Sequence, residues 1–355
     1  MYLVTFHNNN NYGAFLQMFA LQKKINSANS KIFDYRPSCI SLHSLYLNNT
    51  TKKRLPFIWH IIALGNYFLK RKENKFIENK KIKKSKRFFS IKKFKKNNST
   101  LIVGSDQVWN PYCIHYNILP QNINIYFLNF GSASAKRISY AASLGMTQWP
   151  KDFEQRVLPM LKRFDAISVR EESSVPYLTS LGLKNVVCVC DPTILHEGDF
   201  YRGQFPATKV YKEEYAFVYK IREQIPKAVQ EIFPNKVITV DLQKRKTLVS
   251  VTDWLSYIDN AKFVVTDSFH CAVFCILFHK PFLVIPNQST GKGMNERFAT
   301  LLGKTSLEYR CLSCEESTEQ VLEKLNSPID WGHVDAVLEE WRTYSANWLK
   351  NALEI

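Results

Sequence analysis

Short apolar runs alternate with amphipathic ones along nearly the whole sequence, and this rhythm sets the fold class before any single residue is considered. Tyr2–Phe6 is an apolar run of strand length. A polar loop follows, then Ala14–Ile25, where Phe15, Met18, Leu21 and Ile25 recur at helical spacing. Lys31–Tyr35, Leu101–Gly104, Arg137–Ala142 and Ala166–Val169 read as further strands, with a helix at Phe153–Phe164. The second half repeats the pattern. Strands are expected at Tyr215–Lys220, Val237–Val240, Phe263–Thr266 and Phe282–Ile285, and helices at Ile225–Ile232, Val251–Asn260 and Ala272–Phe278. Strands that alternate with helices form parallel sheets covered on both faces.

A chain of 355 residues exceeds what one core usually serves, so two domains are expected. The strand-like run Val186–Asp191 ends in Asp191-Pro192-Thr193, and the hinge is placed there. The expected layout is an N-terminal Rossmann-like domain over 1–190, a second over 191–333, and a closing helix within 334–355 (Val334–Leu353). Two such domains in succession give an α/β, GT-B-like arrangement with a ligand cleft between them.

The net charge of +17 is unevenly spread. Between Lys70 and Lys96 lie fourteen Lys/Arg against two Glu, within an insertion at about 51–98. The run Leu55–Leu69 inside it has about fifteen residues, short of the ~20 a spanning helix needs. Residues 52–96 fit contact with an anionic membrane surface, and equally a helical insertion with a solvated basic face. Nucleic acid is not expected, because no binding module is recognisable. Deleting 70–96 is expected to leave the core folded. The eight cysteines include a single C-x-x-C, Cys311/Cys314, without the further ligands a zinc site requires. They read as reduced thiols of a cytoplasmic protein, and no metal is expected.

In open α/β sheets, ligands bind beyond the carboxyl ends of the strands. After the first strand comes His7-Asn8-Asn9-Asn10-Asn11-Tyr12-Gly13, whose amides suit sugar hydroxyls or, equally, a helix cap. Gly104-Ser105-Asp106-Gln107-Val108-Trp109-Asn110 places a carboxylate at the sheet edge and offers Trp109 as a face for a sugar ring. Val169-Arg170-Glu171 puts an arginine at a strand end. The sharpest loop is Thr266-Asp267-Ser268-Phe269-His270, a buried strand breaking into a helix start, where amides and dipole favour an anion. The stretch from Asn287 to Arg297, with Lys292, is basic near the same edge.

Together these stretches resemble the polysaccharide pyruvyl transferase family. The matching residues are Thr5-Phe6-His7, Asn11-Tyr12-Gly13-Ala14, Asp34-Tyr35-Arg36-Pro37, Gly104–Asn110, Arg137–Gly145, Val169-Arg170-Glu171, Asp191-Pro192-Thr193, Thr266–His270 and Arg297-Phe298. The resemblance implies a GT-B-like fold, phosphoenolpyruvate as co-substrate with no other cofactor, and a sugar acceptor. Carried over, the donor site falls on Arg170 and His270, with Ser268 beside them and Lys292 or Arg297 as a further cation. His270 and Asp106 are the catalytic candidates, and His7, Asn8, Asn11, Tyr12 and Trp109 the acceptor candidates. Many relatives carry Arg-Leu-His where this chain has Ser268-Phe269-His270, so the His is kept, the neighbouring cation is lost, and Lys292 or Arg297 is the expected replacement. A lipid-linked acceptor would suit peripheral contact with the inner face of a membrane. The alternative on the same fold is a glycosyltransferase using a nucleotide sugar.

Overall fold

The runs without polar interruption become the buried strands. A computed structural model describes residues 1–7, 11–25, 30–35, 81–88, 91–94, 97–117, 122–207, 213–287, 295–313 and 315–354. The first six strands are β1 (Tyr2–Val4), β2 (Lys31–Ile32), β3 (Leu101–Asp106), β4 (Arg137–Ala142), β5 (Ala166–Val169) and β6 (Val187–Cys188). They form one parallel sheet in the order β2-β1-β3-β4-β5-β6. The next four are β7 (Ala216–Lys220), β8 (Val237–Asp241), β9 (Phe263–Thr266) and β10 (Phe282–Val284), parallel in the order β10-β9-β7-β8.

Helices cross over between the strands. On the first sheet they are α1 (Tyr12–Ile25), α2 (Ile123–Tyr126), α3 (Lys151–Leu161) and α4 (Ser174–Ser180). Then come α5 (Gly198–Gln204), α6 (Lys227–Glu231), α7 (Val251–Asn260), α8 (Phe269–Leu277), α9 (Glu296–Thr305), α10 (Thr318–Asn326) and α11 (Trp331–Leu353). Among the described residues no helix is long and apolar enough to cross a membrane, and the run Leu55–Leu69 lies outside them.

Strand order reverses between β1 and β3 in one sheet and between β7 and β9 in the other. These are the switch points where ligand crevices form. The two meet through α1. Tyr12, at its start, donates its hydroxyl to Val249 O and accepts from Val249 N, both at 2.9 Å, and stacks on Trp254 of α7 at 5.1 Å. One apolar core runs from Leu3 and Ile102 through Phe15 and Phe19 to Trp254, Phe274 and Leu338. The closing helix α11 returns to the first sheet: Ser345 Oγ accepts from Cys190 N at 2.9 Å and Arg342 Nε donates to Ile194 O at 2.8 Å.

The end of the basic insertion is part of this fold. Lys83 N donates to Gln22 Oε1 and Gln22 Nε2 to Lys83 O, each at 2.9 Å, so the chain runs along the β2 edge. Ile82, Phe88 and Phe94 are buried, and Phe88 stacks on Phe33 at 5.1 Å. The expectation that 70–96 can be deleted with the core intact is therefore corrected. The lysines there alternate with apolar side chains that the core uses, while residues 36–80 lie outside the described set. Phe88→Ala should cost about 3 kcal/mol of stability in a denaturant titration; an unchanged unfolding midpoint would contradict this packing.

Candidate active site

A buried carboxylate organises the charged residues at the meeting of the two sheets. Asp191 follows β6 and caps the turn Pro192–Leu195, its Oδ1 accepting from Thr193 N at 3.0 Å and Thr193 Oγ1 at 2.7 Å. Its Oδ2 accepts from Ser105 Oγ at 2.8 Å and from Arg170 Nη1 at 2.9 Å. His270 Nε2 lies 3.5 Å from the same oxygen, near enough to pair electrostatically but not aligned as a hydrogen bond. Burial alone would raise the Asp191 carboxyl. The charges of His270 and Arg170 and the Thr193 amide outweigh burial and hold it far below the usual carboxylate range.

Arg170 leaves the end of β5 fully buried. Burial opposes its charge, but Glu171, Asp191 and Asp106 prevail and raise its pKa. Its guanidinium lies over the Phe269 ring at 4.7 Å, and that of Arg297 from α9 approaches the same ring at 5.8 Å. Burial, and then Arg170 beside it, push Arg297 down to about 10, so it stays charged at neutral pH. Glu171 Oε1 accepts from Ser143 Oγ and lies 3.5 Å from Arg170 Nε.

His270 is set by three local features. β9 is followed by Asp267, whose carboxylate accepts from the amides of Ile221 (2.7 Å), Arg222 (2.7 Å) and Glu223 (2.9 Å), fixing the turn. Ser268 then caps α8, its hydroxyl accepting from Cys271 N at 3.4 Å, which puts His270 in the first helical turn. Opposite stands Gly13. A Cβ there would lie 2.2 Å from His270 Nδ1 and 2.4 Å from its Cγ, so no other residue admits the imidazole.

Three donors in this cluster make no hydrogen bond. Arg170 Nη2, Arg297 Nε and His270 Nε2 are inaccessible and make no hydrogen bond. An unsatisfied buried donor costs about 1–3 kcal/mol, more when charged. Beside them the first amides of α8 lack intrahelical acceptors. The arrangement suits a small ligand rich in anionic oxygen.

The structure thus brings His270, Arg170 and Arg297 together. Asp106 stands at the end of β3 in left-handed backbone (φ 74°), its Oδ1 accepting from Gln107 N at 2.9 Å, and its charge reaches both arginines. Other expected residues have structural work. Asn11 caps α1, accepting from Gly13 N at 2.9 Å and Ala14 N at 3.3 Å. Tyr12 is buried against Val249 and Trp254, so its ring does not face a ligand. Trp109 is also buried, stacked on Phe127 at 5.5 Å, with Nε1 donating to Tyr126 O at 3.0 Å. The sugar platform expected at Trp109 is corrected accordingly: its indole anchors the loop in the core. His7 lies at the β2 edge, Nε2 3.1 Å from Asp34 Oδ1 and Nδ1 2.9 Å from Thr5 O. Asn8 and Lys292 lie outside the described residues. Sequence reasoning missed Asp191 as the hub, together with Ser105, Glu171 and Gly13. The Asp-Pro-Thr signature of a capped turn was the available signal.

Two parallel sheets joined through α1, with a buried guanidinium–imidazole cluster beyond the carboxyl ends of their strands, define a GT-B-like α/β protein. The chain belongs to the polysaccharide pyruvyl transferase family, whose model matches residues 11–289. No curated protein matches the chain. Among solved structures it is similar to S. aureus MnaA with UDP, at 12% identity over 99% of this chain and 96% of that one, with a TM-score of 0.51. It is also similar to the UDP-GlcNAc 2-epimerase of Neisseria meningitidis bound to UDP-GlcNAc (12% identity, 99% of each chain, TM-score 0.46). At such identities the likeness is one of fold.

Two substitutions check this geometry. Gly13→Ala should displace His270 and lower turnover on the order of 100-fold; near-normal turnover would contradict the close approach. Asp191→Asn should destabilise the protein by about 3 kcal/mol, because it leaves buried cations uncompensated. The folded-state pKa of Asp191 is depressed, so its contribution is complete above the unfolded value of about 4 and is lost as the pH falls toward the folded one. The variant should therefore lose less stability in acid than the parent when unfolding is followed against pH.

Proposed function

We propose that the chain transfers the pyruvyl group of phosphoenolpyruvate to a sugar, forming a ketal across two hydroxyls and releasing inorganic phosphate. The observation that carries this reading is the convergence of Arg170 Nη2, Arg297 Nε and His270 Nε2, none of them hydrogen-bonded, near the α8 N-terminus. The donor's carboxylate and phosphate oxygens supply the acceptors these groups lack. In the reaction the methylene carbon gains a proton, and the enol carbon becomes cation-like. One sugar hydroxyl adds and gives up its proton. Phosphate then leaves with the C–O bonding pair, and a second hydroxyl takes its place and gives up its own proton. His270 contacts the phosphate or delivers the first proton, and Asp106 is the candidate base for the acceptor.

On the acceptor side, His7, Asn8 and Asn11 remain candidates at the first switch point. The flat face needed by a sugar ring is better supplied by Tyr112, just past Trp109, whose side chain is 64% exposed. The acceptor is a polysaccharide precursor, read here as lipid-linked. The basic residues within 52–96 would bring the enzyme to an anionic membrane surface from the cytoplasm.

The test is a thermal-shift titration with phosphoenolpyruvate, run beside UDP- and GDP-sugars and joined to a phosphate-release assay. Phosphoenolpyruvate should stabilise the protein, because a ligand stabilises the state it binds. Arg170→Ala and His270→Ala should abolish the shift, and His270→Ala should lower turnover at least ~100-fold. Stabilisation by a nucleotide sugar alone would replace this reading with glycosyl transfer.

A further inference from the structure

The donor cluster as described is short of positive charge. Among the described residues Arg170, Arg297 and His270 face three carboxylates, those of Asp106, Glu171 and Asp191. Asp267 adds a fourth at the start of α8, already held by three amides. Phosphoenolpyruvate would bring a carboxylate and a phosphate, about 2.5 to 3 negative charges near neutral pH. Gathering that charge beside three buried carboxylates needs another cation. The residue before Phe269 does not provide one, since Ser268 is the cap of α8.

Arg222 stands where such a cation is needed. It leaves the carboxyl end of β7, the strand that pairs with β9 on the near side of the second switch point (Tyr219↔Thr266). Its backbone N–H donates to Asp267 Oδ2 at 2.7 Å, which ties it to the turn that presents His270. Its side chain is exposed, and no described carboxylate pairs with it. Cys113, seven residues past Asp106, is pushed up to about 11 by burial and by Asp106, against the opposing charges of Arg222 and Arg297. Both arginines thus act on one point of the loop that carries the candidate base.

We infer that Arg222 is a further cation of the donor site, closing on the phosphate of the bound donor from the second sheet. This inference rests on the donor reading above. The arginine's free guanidinium can move onto the phosphate without breaking an existing ion pair. Its cost when empty is small because it stays in water. It supplies from the loop after β7 the charge that the sequence Ser268-Phe269-His270 lacks.

The test compares Arg222→Ala and Arg222→Lys with the parent, using phosphoenolpyruvate and, separately, inorganic phosphate as probes. Arg222→Ala should keep its ligand-free melting temperature, because the side chain is exposed. Its dissociation constant for phosphoenolpyruvate should rise about 10- to 100-fold, as expected for a charge-assisted contact. KM should rise more than kcat falls, phosphate should weaken in parallel, and Arg222→Lys should recover part of the loss. Parental affinity in Arg222→Ala, with the response of the parent still abolished by Arg170→Ala, would overturn the role of Arg222 alone. A parent protein indifferent to phosphoenolpyruvate would overturn the donor reading and this inference with it.

Discussion

The site depends on one buried carboxylate. Asp191 receives Ser105 from the end of β3, Arg170 from the end of β5 and Thr193 from its own turn, and His270 of the second sheet stands against it. Taking a carboxylate and a guanidinium out of water costs several kcal/mol per ion unless the geometry compensates. Here all four hydrogen bonds to the carboxylate are made, so the arrangement is held tightly. It leaves Arg170 with one arm committed and one arm free. The free arm is what a ligand can use.

The same economy recurs around it. Asp267 spends its carboxylate on three amides and thereby fixes the turn that carries His270 and Arg222. Gly13 gives up a side chain so that the imidazole fits against α1. Tyr12 locks α1 to the loop before α7, which joins the two switch points into one crevice. These residues set the positions of the charged groups, and a ligand with anionic oxygens would complete the set.

Much of the fold was legible in the sequence. β4, β5, β9 and α7 fall on the expected residues, because each is an apolar or periodic run bounded by polar turns. The site was legible in part. Strand-end position singled out Arg170 and His270, and the two sheets bring both against Asp191. Burial by distant partners was not legible. Tyr12 follows a polar loop, and its contacts with Val249 and Trp254, far along the chain, withdraw its ring. Trp109 likewise looks exposed beside Asp106 and Asn110 until Phe127 and Trp149 cover it. In residues 81–94 the density of lysine concealed three apolar side chains that the sheet edge requires. Asp191 was read as a hinge because a buried carboxylate shows its value only through the cations that fold brings to it.

A crystal structure with phosphoenolpyruvate bound tests the central claim most directly. The account predicts donor oxygens within hydrogen-bond distance of Arg170 Nη2, Arg297 Nε and His270 Nε2, with Asp191 still holding Arg170. Donor bound elsewhere, with those three atoms still unpartnered, would contradict it.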